Sequence, residues 1–127
     1  MIITESRSYQ ELKKDLDKNK KIGIVTCNAC ARFCKTGGKK GMKELAQKLE
    51  KDGFEVVDQD LIGSPCMFNQ LQATKLRGEI TIALACDSGL EMLREVFSKE
   101  KIIPGLKTIG IGKLDKDNKP HLVVEVK

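Results

Sequence analysis

Three short, largely apolar segments of this chain are each followed by a cysteine, either directly or after a loop. Continuous apolar runs of this length are typical of strands that are buried on both faces of a parallel sheet. We therefore predict three such strands, each of which delivers a cysteine at or beyond its carboxyl end. The three pairs are residues 22–26 with Cys27, residues 54–57 with Cys66, and residues 80–85 with Cys86.

Helical patterns separate these strands. Residues 39–51 place apolar side chains on one face, and Gly53 follows at a position where glycine commonly ends a helix. A second helix is expected to begin at Asp87 or Ser88, either of which is a good N-cap residue. A weaker helical pattern covers residues 68–76.

Alternation of strands and helices predicts a parallel sheet with right-handed crossovers. Residues 108–111 add a fourth short strand, and apolar alternation over residues 122–126 adds a final edge strand after a hairpin turn. The fold class that we predict is a three-layer α/β/α sandwich with a mostly parallel, flavodoxin-like (Rossmann-like) sheet and an antiparallel C-terminal edge strand. The whole chain, residues 1–127, is expected to form a single cysteine-rich α/β domain.

The cysteines are the main candidates for chemistry. Cys27, Cys30 and Cys34 form a Cys-x-x-Cys-x-x-x-Cys motif, whose spacing allows several sulfurs to bind one metal centre. Ligands of parallel sheets gather beyond the carboxyl ends of the strands, so Cys66 and Cys86 are expected at the same edge. Thiolates favour soft partners, either a [4Fe-4S] cluster with one cysteine spare or a zinc ion with one cysteine spare. The residue pattern leaves both cofactors open.

Two glycines and the single histidine are weaker candidates. Gly37 and Gly38 are predicted to contact the cofactor, because glycine allows the cysteine loop to pass close to a cluster. The alternative is that backbone N–H groups of this segment hold an anion, although the full spacing of a phosphate-binding loop is missing. His121 lies in the predicted edge strand, where we expect no ligand role.

The composition and charge of the chain restrict the cellular location and the classes of binding partner that we expect. The chain shows no secretion signal and no apolar run long enough to cross a membrane, so we expect a cytoplasmic protein whose cysteines are not a disulfide framework. The net charge is +5, but basic and acidic residues are mixed, and aromatic residues make up only 4%. We therefore expect no nucleic-acid partner and no membrane partner. A mildly positive surface suits an acidic electron carrier such as a ferredoxin.

The chain resembles a known protein family in residues 27–38 (CNACARFCKTGG), in Cys66, in residues 84–89 (LACDSG) and in residues 104–106 (PGL). This family is the methylenetetrahydrofolate reductase C-terminal family, which includes the small iron–sulfur or zinc-binding accessory subunit of the bacterial and archaeal enzyme. The resemblance covers about residues 1 to 112 and only the N-terminal part of that family. It implies a subunit that partners a flavin-containing reductase, relays electrons in one-carbon metabolism, and is not an enzyme by itself. It also implies that all five cysteines are candidate ligands.

Two alternatives to an electron-transfer subunit remain open from the residues. The first is a zinc-stabilised interaction module that uses the same cysteines without a redox role. The second is a thiol-redox enzyme that uses Cys27 and Cys30.

Overall fold

The computed structural model describes residues 1–126 and contains seven strands, four α-helices and a short 3-10 helix. The strands form two separate sheets, so the fold is a mixed α/β architecture. The strands are β1 (Ile2–Ser6), β2 (Ile22–Cys27), β3 (Val56–Ile62), β4 (Ile80–Leu84), β5 (Lys101–Pro104), β6 (Leu106–Leu114) and β7 (Pro120–Glu125). The helices are α1 (Tyr9–Lys14), α2 (Cys30–Phe33), α3 (Gly38–Lys51) and α4 (Asp87–Val96), and the 3-10 helix is Phe68–Gln70.

The parallel sheet has four strands in the order β3-β2-β4-β5. Its central strands β2 and β4 are buried along their whole length, as the continuous apolar runs predict. All its neighbouring strands pair in parallel, and Cys27 at the end of β2 lies opposite Ile62 at the end of β3. The predicted parallel sheet is confirmed, and the carboxyl ends of its strands meet at one edge.

Apolar side chains cover both faces of this sheet. On β2, Ile24 belongs to a cluster that includes Leu49 of α3, whereas the next residue, Val25, belongs to a cluster that includes Leu93 of α4. Adjacent residues of a strand point to opposite faces, so α3 and α4 bury their apolar sides against different faces. The predicted helix over residues 39–51 is also confirmed, and it ends before Gly53, whose φ of +92° suits glycine.

The second sheet is antiparallel and has the order β1-β6-β7. The chain enters it directly from the parallel sheet, since only Gly105 separates β5 from β6. The predicted antiparallel C-terminal strand exists as β7, but it pairs with β6 in this second sheet and not with the parallel sheet. The predicted fourth strand, residues 108–111, is the middle of the longer strand β6.

Several predicted boundaries are wrong. The second predicted strand, residues 54–57, is placed too early: β3 extends over Val56–Ile62 and pairs with β2, while Phe54 lies before the strand. The predicted helix over residues 68–76 is reduced to the 3-10 helix. In the part of the chain that the structure describes, no helix has the length and apolar character of a membrane span.

Candidate metal centre

All five cysteines lie beyond or at the carboxyl ends of three adjacent parallel strands. Cys27 is the last residue of β2, while Cys30 begins α2 and Cys34 directly follows it. Cys66 lies in the loop between β3 and β4, and Cys86 lies between β4 and α4. The structure therefore brings these segments to one edge of the sheet, although they are up to 59 positions apart in the sequence, from Cys27 to Cys86.

The five thiols differ in their exposure to solvent. All are free, with no disulfide among them. Cys27 and Cys86 are buried, Cys30 and Cys34 are half-buried, and Cys66 is exposed. A centre held at this edge would be shielded on the side of the sheet and open to solvent on the side of Cys66.

The protonation of Cys86 depends on its burial and on the neighbouring cysteine-bearing segments. Burial raises the pKa of the Cys86 thiol, because a low-dielectric surrounding disfavours the thiolate. Backbone N–H groups of Gly89 and Ser88 act in the opposite direction, since they stabilise the negative sulfur. Cys30 and Cys66 raise the pKa of Cys86 further, because a negative charge on either sulfur would repel a Cys86 thiolate.

The first cysteine loop, residues 27–38, is fixed by hydrogen bonds to sulfur. The N–H of Ala29 donates to Cys27 Sγ at 3.3 Å. The N–H of Ile2 in β1 donates to Cys30 Sγ at 3.4 Å, and Cys34 Sγ lies 3.8 Å from the Ile2 carbonyl oxygen, to which it donates. Cys30 and Cys34 thus form hydrogen bonds with the backbone N–H and the backbone carbonyl of Ile2, so β1 is part of this site. This contact has no signal in the sequence, because it involves the backbone of Ile2, whose side chain is not polar.

The end of the first cysteine loop is packed against the sheet. The hydroxyl of Thr26 accepts a hydrogen bond from the Gly38 N–H at 2.7 Å and donates to the Leu84 carbonyl at 3.3 Å. A Cβ built at Gly37 would lie 2.7 Å from Thr26 Oγ1 and 2.9 Å from the Cβ of Ala31, which is too close for any other residue. Gly37 is therefore needed for close approach to β2. The predicted approach of Gly37 and Gly38 to a cofactor stays a prediction.

The loop that carries Cys66 lies against the start of α4. A Cβ built at Gly89 would lie 3.2 Å from Pro65 and 3.8 Å from the Cys66 nitrogen. Ser64 Oγ lies 3.1 Å from Cys66 Sγ, and the Ser64 N–H donates to Gln70 Oε1 at 2.7 Å. These contacts place Cys66 beside the helix whose N-terminus follows Cys86.

The donor set suits a soft metal centre, but the sulfurs are not yet gathered. Across residues 1–126, no three His, Cys, Asp or Glu side chains lie in an arrangement that holds a metal ion. The donors at this edge are all thiols, which is the set that iron–sulfur clusters and zinc prefer. His121 is engaged elsewhere, with Nε2 at 2.7 Å from Asp115 Oδ2. Metal binding here requires the first cysteine loop and the Cys66 loop to draw their sulfurs together.

Comparison of this chain with protein-family models, with curated proteins and with solved structures found no match.

Proposed function

We propose that this protein binds an iron–sulfur cluster through cysteine thiolates and serves as an electron-transfer subunit of a flavin-dependent reductase. The observation that carries the proposal is the meeting of three segments, which together bear five cysteines, at the carboxyl edge of the parallel sheet. Four of Cys27, Cys30, Cys34, Cys66 and Cys86 would hold the cluster, which supplies reversible one-electron transfer when it is bound.

The hydrogen bonds to sulfur support this proposal. Backbone N–H groups donate to Cys27 and Cys30, and such bonds stabilise negative charge on metal-bound thiolates and tune the reduction potential of a cluster. Cys27 and Cys86 are buried on the sheet side, so this side keeps water away from a bound centre. The chain thus supplies soft ligands, donors for their charge and partial shielding.

The proposed partner rests on the family resemblance, and the proposed fold class rests on the strand order of the parallel sheet. By the resemblance, the partner is the flavin-containing methylenetetrahydrofolate reductase or a related redox subunit in the cytoplasm. We also propose that the parallel sheet is the centre of a three-layer, flavodoxin-like sandwich. Counted within that sheet, its strand order is 2-1-3-4, which follows the flavodoxin order, and α3 and α4 pack on different faces.

Metal and sulfide analysis after anaerobic reconstitution tests the proposal. Purified protein is incubated with iron and sulfide, and in parallel with zinc alone. We expect about four iron and about four sulfide per chain, with the visible absorbance of an iron–sulfur cluster. Uptake of zinc without cluster formation would replace the proposal by the zinc-stabilised interaction module. A chain that takes up neither metal, or that only forms a Cys27–Cys30 disulfide, would overturn metal binding altogether.

Single Cys→Ser variants identify the ligands. Each ligand variant is expected to lose most of the iron, and the spare cysteine, when replaced, leaves the iron content unchanged. Ser64→Ala is the matched control, because Ser64 contacts the Cys66 sulfur without being a thiol. If all five variants retained full iron and sulfide content, the cluster would have to be held elsewhere and the proposed site would be wrong.

A further inference from the structure

An apolar patch lies next to the exposed end of the proposed cluster site. We call Cys66, Met67 and Phe68 the Cys66 patch. Cys66 is exposed, and the side chains of Met67 and Phe68 are 48% and 57% exposed. Large apolar side chains that are exposed side by side commonly mark a contact surface, and apolar residues form the central part of protein interfaces.

Positive charge lies on the other side of the cysteines. Arg32, Lys35, Lys39 and Lys40 line a cleft of about 340 Å³ beside Cys34, and we call these four residues the basic rim. Glu44 lines the same cleft, so four basic side chains face one acidic side chain there. All four are exposed, and none takes part in an ion pair within residues 1–126. Their charges are therefore free to attract a negatively charged partner.

The patch and the rim belong to the same edge of the molecule. The Asn28 N–H in the first cysteine loop donates to the carbonyl of Ile62 at 2.8 Å, at the end of the strand that leads to the Cys66 patch. Gly37 packs on Thr26 of the neighbouring strand and anchors the start of the helix that carries Lys39. A partner approaching this edge would meet apolar surface at Cys66 and positive charge beside Cys34.

We propose that this edge is the docking face for a small acidic protein that carries a one-electron redox centre. The inference rests on the proposed cluster and goes beyond it by assigning the surface and the partner's charge. In the complex, a cluster held by the cysteines would accept one electron from the partner's reduced centre, so the partner would be oxidised and the cluster reduced, with no bond made or broken. The basic rim increases the rate of encounter, and the Cys66 patch supplies the close apolar contact.

Two small redox proteins of opposite charge test the docking face. The reconstituted protein is reduced anaerobically and mixed in a stopped-flow instrument with oxidised plastocyanin, which is acidic, or with oxidised cytochrome c, which is basic. Both accept one electron, so the docking preference is measured in the reverse direction. We expect the rate constant with plastocyanin to fall about tenfold or more as salt is raised, and the rate constant with cytochrome c to stay level or rise.

Charge-reversal variants locate the effect. We expect Lys39→Glu with Lys40→Glu to lower the plastocyanin rate constant at low salt about tenfold. The matched control is Lys99→Glu with Lys101→Glu, which changes the net charge equally at the opposite edge of the sheet, where β5 begins. Phe68→Ser is expected to slow transfer at high salt as well, because it removes apolar contact and not charge.

Three results would count against the docking face in different ways. Full cluster content with salt-independent transfer to plastocyanin would overturn the docking face and leave the cluster standing. Equal losses in the Lys39/Lys40 variant and in its control would also overturn it, because the effect would then come from net charge alone. A chain that takes up no iron would remove the proposed function, and the docking role with it.

Discussion

Replacing Thr26 with valine tests how the first cysteine loop is held on the sheet. Thr26 is completely buried in β2, directly before Cys27. Its hydroxyl accepts the N–H of Gly38 at 2.7 Å and donates to the Leu84 carbonyl at 3.3 Å. Valine has nearly the same shape as threonine but cannot make either bond, so the variant removes the link between the loop, β2 and β4.

Two contributions set the expected loss of stability. The Gly38 N–H is left buried without a partner, which costs about 1–3 kcal/mol. A methyl group placed where the hydroxyl oxygen stands 2.7 Å from the Gly38 nitrogen is also too close, and local crowding of this kind costs about 1 kcal/mol. We expect Thr26→Val to lower the free energy of unfolding by about 3 kcal/mol, a large share of the roughly 5–15 kcal/mol typical of a domain.

Urea unfolding of the metal-free protein measures this loss, and Thr26→Ser is the matched control. Serine keeps both hydrogen bonds and loses one buried methyl group, so it is expected to cost only about 1 kcal/mol. The reasoning is refuted if serine destabilises the protein as much as valine does, because the methyl group and not the hydroxyl would then hold the loop. A loss below about 1 kcal/mol for valine would refute it as well.

Three further predictions concern the stability and titration of the chain. Gly37→Ala is expected to lower the free energy of unfolding by about 1–3 kcal/mol, because the added methyl group is crowded. Gly41→Ala is expected to raise the free energy of unfolding by up to about 1 kcal/mol, because a Cβ at this helical position meets nothing closer than 3.6 Å. Urea unfolding that gave both changes the same sign would contradict this prediction. Burial raises the pKa of Asp60, and its Oδ2 lacks a hydrogen-bond partner among the described residues. The native state therefore favours the protonated carboxyl group, and the protein loses stability as the pH rises through the raised pKa. Asp60→Asn is therefore expected to stabilise the protein by about 1 kcal/mol at neutral pH, and unfolding curves that showed the same gain at pH about 3 would contradict this. Burial and the hydrogen bond to Asp52 raise the pKa of Tyr9 to about 12, and Tyr9 is the one tyrosine of a chain without tryptophan. The phenolate absorbance of the folded protein should therefore have its titration midpoint near this pKa, and the midpoint should shift toward 10.0 in Asp52→Asn. A midpoint near 10.0 in the unsubstituted protein would contradict this prediction.

The elements that the sequence predicts well are those in which burial against the rest of the protein determines the pattern of apolar residues. Strands β2 and β4 lie in the centre of the parallel sheet, so both of their faces are apolar and the run is continuous. Helix α3 buries one face, so its apolar residues recur at helical spacing. In each case the environment of the element determines its pattern, and the boundaries were correct to within about one residue.

Elements at the edges of sheets were misjudged for the opposite reason. Strand β3 lies at the edge of the parallel sheet, and its polar residues Asp58 and Asp60 alternate with others along a half-exposed surface. The sequence there shows acidic residues after Phe54, which indicate a loop when no pairing partner is known. Strand β1 is also an edge strand, and it pairs with β6, which is a hundred or more positions away in the sequence. Its pairing depends on a long-range contact that local periodicity does not contain.

Long-range contacts also limited what could be predicted of the candidate site. Alternation of strands and helices placed the cysteine-bearing loops at one edge, because the topology of a parallel sheet requires it. The contribution of β1 could not be predicted in this way, since Ile2 contacts Cys30 and Cys34 through its backbone and comes from the other sheet.

This contact means that the state of the cysteines and the position of β1 depend on each other. As free thiols, Cys30 accepts a hydrogen bond from Ile2 and Cys34 donates one to it. A thiolate at Cys30 would strengthen the first bond, whereas a thiolate at Cys34 would have no proton left for the second. The hydroxyls of Thr4 and Thr36, 2.7 Å apart, hold β1 on the first cysteine loop independently of both sulfurs. Gathering the sulfurs around a metal therefore has to rearrange the Cys34 side of this junction, while the Cys30 side and the threonine pair can keep β1 in place.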